Sequence, residues 1–128
     1  MSSKRFEARD LPERAEFVES RDLRKGAVYF RVSFVDDDGV VPLLEPLVFI
    51  GRDLEEPGEG RVYFQDGGSF LAGERAYSED GQQEENGVSS AVAYAFPENA
   101  GCVYEYERAL EALMRCSLRR AETATTQE

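Results

Sequence analysis

The sequence of 128 residues contains no histidine, and this absence narrows its possible chemistry. Without histidine, the chain cannot form a Ser-His-Asp or Cys-His nucleophile system or offer an imidazole ligand to a metal. Basic residues are also few, with 15 Lys and Arg against 26 Asp and Glu, for a net charge of −11. Since this balance gives little attraction to phosphate groups, we expect neither a nucleic-acid partner nor a membrane partner.

Cysteine is scarce too, with only Cys102 and Cys116 present, too few for a disulfide scaffold. We predict both on one helix, where fourteen residues correspond to about 21 Å of rise, beyond the reach of a disulfide. Two reduced cysteines are typical of the cytosol. The N-terminus has no apolar run of the signal-peptide type, and no stretch of eighteen apolar residues is present. The sequence therefore predicts a cytoplasmic protein.

What is present is enough apolar material for one core. Hydrophobic residues make up 41% of the chain and aromatic residues 11%, including eight Phe and six Tyr. A chain of this length buries roughly two-thirds of its unfolded surface. We expect a flexible arm over residues 1–12, a single globular domain over residues 13–121 and a flexible tail over residues 122–128.

The negative charge is concentrated in the middle of the chain. Residues 36–85 carry fourteen acidic and three basic side chains, a net charge of −11, whereas residues 1–35 carry +2 and residues 86–128 carry −2. One interpretation is that acidic loops and strand edges keep the protein soluble. The other is that an acidic surface meets a basic protein partner, since complementary fields steer association.

The clearest strand is predicted at 27–35. Its alternation places Val28, Phe30, Val32 and Phe34 on the core face and Tyr29 on the opposite face. Asp36-Asp37-Asp38-Gly39 then predicts a turn, because Asp tolerates turn geometry and Gly supplies a positive φ. Further strands are predicted at 15–19, 47–50, 61–66, 69–72 and 90–96, with a two-residue turn at Gly67-Gly68 and loops at 51–60 and 78–87.

A helix is predicted over residues 102–121, where apolar residues recur at helical spacing along one stripe. The short strands are joined by turns without helical crossovers, which favours antiparallel pairing. We therefore expect an α+β fold: a small twisted antiparallel sheet or open SH3-like barrel of four to six strands with one C-terminal α-helix. The stripe is formed by Val103, Tyr106, Leu110, Leu113, Met114, Ser117 and Ala121.

Known catalytic and ligand-binding motifs are missing. Counting from Asp36, an EF-hand needs Gly at position six and Glu at position twelve, where the chain has Val41 and Leu47. The sequence contains no phosphate-binding glycine loop and no Gly-x-Ser-x-Gly motif. A carboxylate or tyrosine acting as general acid or base stays open. We predict no catalytic residue, no cofactor and no metal.

Three functions remain open. The first is an acidic binding or adaptor module acting through protein–protein contacts. The second is a small-ligand-binding protein or enzyme with a pocket of carboxylates and tyrosines, and the third is a structural homo-oligomer subunit. Tyrosines exposed on a sheet are good contact residues. The predicted partner-binding residues are therefore Asp36, Asp37, Asp38, Glu55, Glu56, Glu59, Tyr29 and Tyr63.

Overall fold

A computed structural model describes residues 2–77 and 91–126. Within them, the strands form one antiparallel sheet in the order β1-β2-β3-β4. This arrangement confirms the predicted α+β class with a C-terminal helix. The elements are a 3-10 turn at Ser20–Asp22, β1 at Val28–Phe34, β2 at Pro42–Arg52, β3 at Arg61–Asp66, a short helix α1 at Gly67–Leu71, β4 at Ala93–Pro97 and α2 at Tyr106–Thr126.

One face of the sheet carries the main hydrophobic core. Directly paired residues of antiparallel strands lie on the same face, and Tyr29–Leu47 and Phe49–Phe64 are such pairs. The rings of Phe49 and Phe64 lie 5.6 Å apart. Residues outside the sheet complete this core. Its buried members are Leu23, Tyr29, Leu47, Phe49, Val62, Phe64 and Val103.

The predicted orientation of β1 is wrong. Tyr29 is only 8% exposed, whereas Val28, expected in the core, is 51% exposed. The Tyr29 ring packs edge-on against Phe64, and its hydroxyl accepts a hydrogen bond of 2.8 Å from the Arg24 backbone N–H. Because this bond satisfies the polar end of the side chain, a tyrosine can occupy the core face.

The opposite face of the sheet is also covered, so simple alternation does not describe it. Tyr63 is 3% exposed, and Gln65 is fully buried. The Gln65 amide donates to Ser69 Oγ at 2.9 Å and to the Glu74 carbonyl, and its oxygen accepts from the Ala76 N–H. Residues 69–76 therefore cover this face and satisfy its buried polar side chain.

The predicted hairpin turn at Gly67-Gly68 is wrong, because these glycines begin α1. Asp66 caps the helix by accepting a 2.9 Å hydrogen bond from the Ser69 N–H. A Cβ on Gly67 would lie 3.1 Å from the carbonyl oxygen of Pro46. Gly67 thus permits a close approach to β2, and the Asp-x-x-Ser spacing is the capping signal in the sequence.

Strand β2 begins at Pro42, five residues before its predicted start at Leu47. Phe30 directs both backbone groups to Tyr104, with bonds of 2.8 and 2.7 Å, and pairs with Pro46 on its other side. The Phe30–Pro46 pair therefore needs no N–H from proline. Pro42 lies four residues from Pro46, at an equivalent position, so both prolines fit the strand.

Helix α2 begins at Tyr106, four residues after its predicted start. The preceding segment is extended, since Val103 O accepts from Val18 N and Tyr104 pairs with Phe30. Cys102 therefore lies outside the helix that holds Cys116, although both cysteines are free as expected. Val18 is the part of the predicted strand 15–19 that makes this pairing. The predicted stripe is also displaced, because the buried helical residues are Ala109, Glu111 and Cys116.

Replacing Gly101 with alanine should destabilise the fold. A Cβ at Gly101 would lie 2.2 Å from Phe17 Cδ2, and the Phe17 ring stacks on Tyr104 at 4.5 Å. We expect Gly101→Ala to displace this ring and lower the free energy of unfolding by about 1–2 kcal/mol, measured by urea denaturation. In a Phe17→Ala background the same substitution should cost much less. An equal cost in both backgrounds would contradict the proposed clash.

Candidate functional site: two acidic loops

The turn between β1 and β2 is built around Asp36. Its carboxylate accepts hydrogen bonds from the Val41 N–H at 2.8 Å and the Val40 N–H at 3.2 Å. The Val41 bond is the main cause that lowers the pKa of Asp36 below its usual value. Asp36 therefore organises the loop, while Asp37 and Asp38 remain exposed to solvent.

Helix α2 holds this turn in place. The carbonyl of Gly39, a residue with a φ of +70°, accepts a 3.0 Å hydrogen bond from Arg119 Nε. Cys116 Sγ approaches the same carbonyl at 3.5 Å. The Arg119 guanidinium also lies over the Phe34 ring, 5.1 Å from its centre. These contacts fix the turn against the helix across a long stretch of sequence.

Apolar side chains flank the acidic turn on both strands. Five of them are between 41% and 73% exposed, although they occupy strand ends or the turn's flanks. We call residues 34–44 the hairpin end. The register places Val35, Val41 and Leu43 on one face of the hairpin and Phe34 and Leu44 on the other. Exposed apolar groups grouped beside carboxylates are typical of a protein interaction surface. The five are Phe34, Val35, Val41, Leu43 and Leu44.

Next to the hairpin end, one backbone edge of β2 has no neighbouring strand among the described residues. The last β3 residue, Asp66, pairs with Leu47, so β2 extends past β3 over residues 42–46. Along that edge the backbone groups of Pro42, Leu44 and Pro46 point away from β1. Of these three residues, only Leu44 has an N–H. Because two of its three outward N–H donors are missing, this edge pairs poorly with an added strand.

The second acidic loop, residues 53–60, joins β2 to β3. Asp53, with a φ of +51°, closes it by accepting from the N–H groups of Gly60 at 2.8 Å and Arg61 at 3.1 Å. Glu55 and Glu56 are exposed. Like Asp36, Asp53 has a structural role within its loop, and it was not among the residues singled out from the sequence.

Two tyrosines contact the carboxylates of this loop. The Tyr63 hydroxyl donates to Glu59 Oε1, and the Tyr77 hydroxyl donates to Glu55 Oε1. The two rings lie 5.8 Å apart in an edge-to-face arrangement. Burial, followed by the bond to Glu59, raises the pKa of Tyr63 to about 12. Burial and the Glu55 bond also raise the pKa of Tyr77. Both hydroxyls therefore keep their protons and act as donors.

The structure separates the predicted partner-binding residues into two places. The loops follow opposite ends of β2, an eleven-residue strand that spans about 33 Å. Asp36, Asp37 and Asp38 lie at one end, whereas Glu55, Glu56 and Glu59 lie at the other. Tyr63 joins the second group but is buried, and Tyr29 belongs to the core. The expectation that both tyrosines are exposed is therefore wrong.

The predicted loop at 78–87 lies outside the described residues, and so do its acidic residues Glu79, Asp80, Glu84 and Glu85.

An open groove of about 1030 Å³ lies between residues 14–24 and the start of α2. The groove is lined by Tyr29 and by four arginines and four acidic residues, so the charges of its lining balance. None of Glu55, Glu59, Tyr63 and Tyr77 lines this groove. Within residues 2–77 and 91–126, no group of Cys, Asp and Glu side chains is arranged to hold a metal ion.

Replacing Pro42 should allow another strand to pair with the free edge of β2. Pro42→Thr adds an N–H that points away from β1, next to that of Leu44. We expect the variant to self-associate as its concentration rises, while the wild-type protein does so less, as followed by light scattering. Pro57→Thr, in the 53–60 loop, is the matched control. Equal scattering by both variants would contradict a guarding role for Pro42.

The burial of Tyr63, together with its contact to Glu59, predicts a loss of stability at alkaline pH. Because the folded pKa of Tyr63 is about 12 and its ordinary value is 10.0, the unfolded chain loses this proton first. The stability from this tyrosine is therefore present below pH 10 and lost as pH rises through 12. We expect Tyr63→Phe to reduce the fall in unfolding free energy between pH 9 and 11.5, measured by urea denaturation. Tyr106→Phe, which removes a hydroxyl from an exposed ring, is the matched control. The assignment is wrong if the two variants behave alike.

Comparison of the chain with known protein families, with curated proteins and with solved structures found no match. Neither helix formed by the described residues is long and apolar enough to cross a membrane. The contacts and charges of the chain itself therefore carry the functional argument.

Proposed function

We propose that the protein is a non-catalytic binding module that contacts a protein partner through the hairpin end. The observation that carries this proposal is the exposure of Val35, Val41 and Leu43 on one face of the hairpin, beside the exposed Asp37 and Asp38 of its anchored turn. Water is displaced favourably from apolar groups when a partner covers them. The carboxylates add orientation and specificity.

The partner's contact segment is expected to combine apolar and basic side chains. In the described part of the chain, no Lys or Arg lies within 4.0 Å of the carboxylates of Asp37 or Asp38. The nearby Arg119 already contacts the Gly39 carbonyl and the Phe34 ring. A cation from the partner would therefore complement these acids.

The contact is expected to use side chains rather than an added strand. Pro42 and Pro46 remove two of the three outward N–H donors along the free edge. Asp36 and Arg119 hold the turn in one conformation, which reduces the entropy lost on binding. A preformed apolar and acidic surface is the result.

A ligand-binding or enzymatic role has less support. The tyrosines and carboxylates of the 53–60 loop do meet, but the hydroxyls are protonated donors to Glu59 and Glu55. They thus act as hydrogen-bonding groups at neutral pH. A second copy of the chain is the alternative occupant of the hairpin end, and light scattering distinguishes it from another protein. Two free cysteines agree with our proposal of a reducing, cytoplasmic location.

The test compares two matched double variants with the wild-type protein as bait. Val35→Ser/Leu43→Ser removes apolar contact on one face of the hairpin, and Glu55→Gln/Glu56→Gln removes charge at the opposite end of β2. We expect a captured protein with a basic, apolar contact segment to lose at least tenfold in affinity for the first variant. The second variant should stay within about twofold of wild type, in calorimetric titration of the purified pair.

Asp37→Asn/Asp38→Asn should weaken the same complex and reduce its dependence on salt. Light scattering of the purified protein tests the alternative occupant. A dimer that Val35→Ser/Leu43→Ser dissociates would identify the partner as a second copy. Unchanged affinity in every hairpin-end variant would overturn the proposal.

A further inference from the structure

The N-terminal segment contacts α2 although it forms no helix or strand. Arg9 donates from Nη1 and Nη2 to Glu107 Oε2, both at 3.3 Å, and its Nη1 lies 4.0 Å from Glu111 Oε1. Three residues further on, the Pro12 carbonyl accepts a hydrogen bond from Arg115 Nε. The segment is thus fixed at two points on the helix.

These two points match the geometry of an extended chain on a helix. Glu107, Glu111 and Arg115 are spaced by four residues and share one face of α2, which we call the α2 stripe. The stripe spans about 12 Å at 1.5 Å per residue. Residues 9–12 in extended conformation span about 10 Å. An arginine and the carbonyl three residues after it therefore meet opposite ends of the stripe.

Glu111 is the unusual member of the stripe because it is a buried carboxylate. It is 5% exposed, and its Oε1 accepts a 2.6 Å hydrogen bond from Arg108. Its Oε2 is buried and has no hydrogen-bond partner among the described residues. Buried carboxylate oxygens are normally satisfied, so the stripe holds an acceptor that Arg9 does not fill.

We propose that the α2 stripe is a docking site for an extended, arginine-bearing peptide. The chain's own residues 9–12 occupy this site, and a segment from a partner competes for it. An arginine placed deeper than Arg9 would reach Oε2 of Glu111 with a second N–H, while Arg115 binds its peptide carbonyl. The proposal concerns a different surface from the hairpin end and does not depend on the function proposed for that surface.

The native occupant is held weakly enough to be displaced. The Arg9 and Glu107 side chains are 32% and 47% exposed, and ion pairs of this kind are weak and screened by salt. Arg5, in contrast, forms no ion pair in the described structure. The two arginines thus provide a contact variant and a matched control within the same segment.

The experiment uses the full chain and a labelled peptide of residues 2–14 as probe. Arg9→Ala in the protein removes the competing side chain, so we expect the peptide to bind this variant about tenfold more tightly than wild type. Arg5→Ala in the protein should leave the affinity at the wild-type value. Fluorescence anisotropy at low salt measures both, and circular dichroism verifies that each variant is folded.

Two further substitutions locate the site. A peptide carrying Arg9→Ala should lose at least fivefold in affinity for the Arg9→Ala protein, and so should the native peptide for an Arg9→Ala/Glu111→Gln protein. Failure of the native peptide to bind the Arg9→Ala protein would overturn the proposal. Equal binding to wild type and Arg9→Ala, or indifference to Glu111→Gln, would also overturn it. Asp37→Asn/Asp38→Asn should not change peptide binding, which separates this test from that of the hairpin end.

Discussion

The burial of the middle of β2 on both faces of the sheet is the constraint on which the remaining structure depends. Leu47 and Phe49 face the main core, and Val48, between them, is buried on the opposite face. Both faces of the strand are therefore covered. The other residues of the main core cover one face, and residues 69–76 cover the other. Because the middle of the strand is enclosed, the accessible surfaces of β2 lie at its two ends.

Local sequence patterns correctly predicted the elements whose structure depends on residues close by in the sequence. The alternation at 27–35 gave β1, and the Asp-rich run gave the turn at Asp36–Gly39, because both follow from side-chain spacing and backbone preference. Orientation was not predictable in the same way. A tyrosine enters the core when a distant group satisfies its hydroxyl, and Arg24 does this for Tyr29. The same limit applies to Pro42 and Pro46, whose positions depend on the register between β1 and β2 and on the end of the β3 pairing at Leu47.

The acidic residues of the candidate site were predictable as exposed loops, but their separate roles were not. Asp36 and Asp37 are adjacent and chemically identical, yet only Asp36 accepts hydrogen bonds from the Val40 and Val41 amides. The concentration of charge in residues 36–85 also suggested one acidic surface. The eleven-residue strand β2 separates the two described loops. The sequence did not reveal this length, because Pro42 and Pro46 suggested that the strand begins only at Leu47.

Helix α2 connects the two proposed surfaces through different residues. Cys116 and Arg119 hold the hairpin turn, whereas Glu107, Glu111 and Arg115 hold the N-terminal segment. Since no side chain serves both contacts, release of the N-terminal segment would leave the anchor of the hairpin end intact. Both surfaces are therefore compatible with simultaneous occupation. A partner with a basic apolar segment and a separate arginine-bearing segment would gain affinity from binding both, provided that its linker spans the distance along the helix.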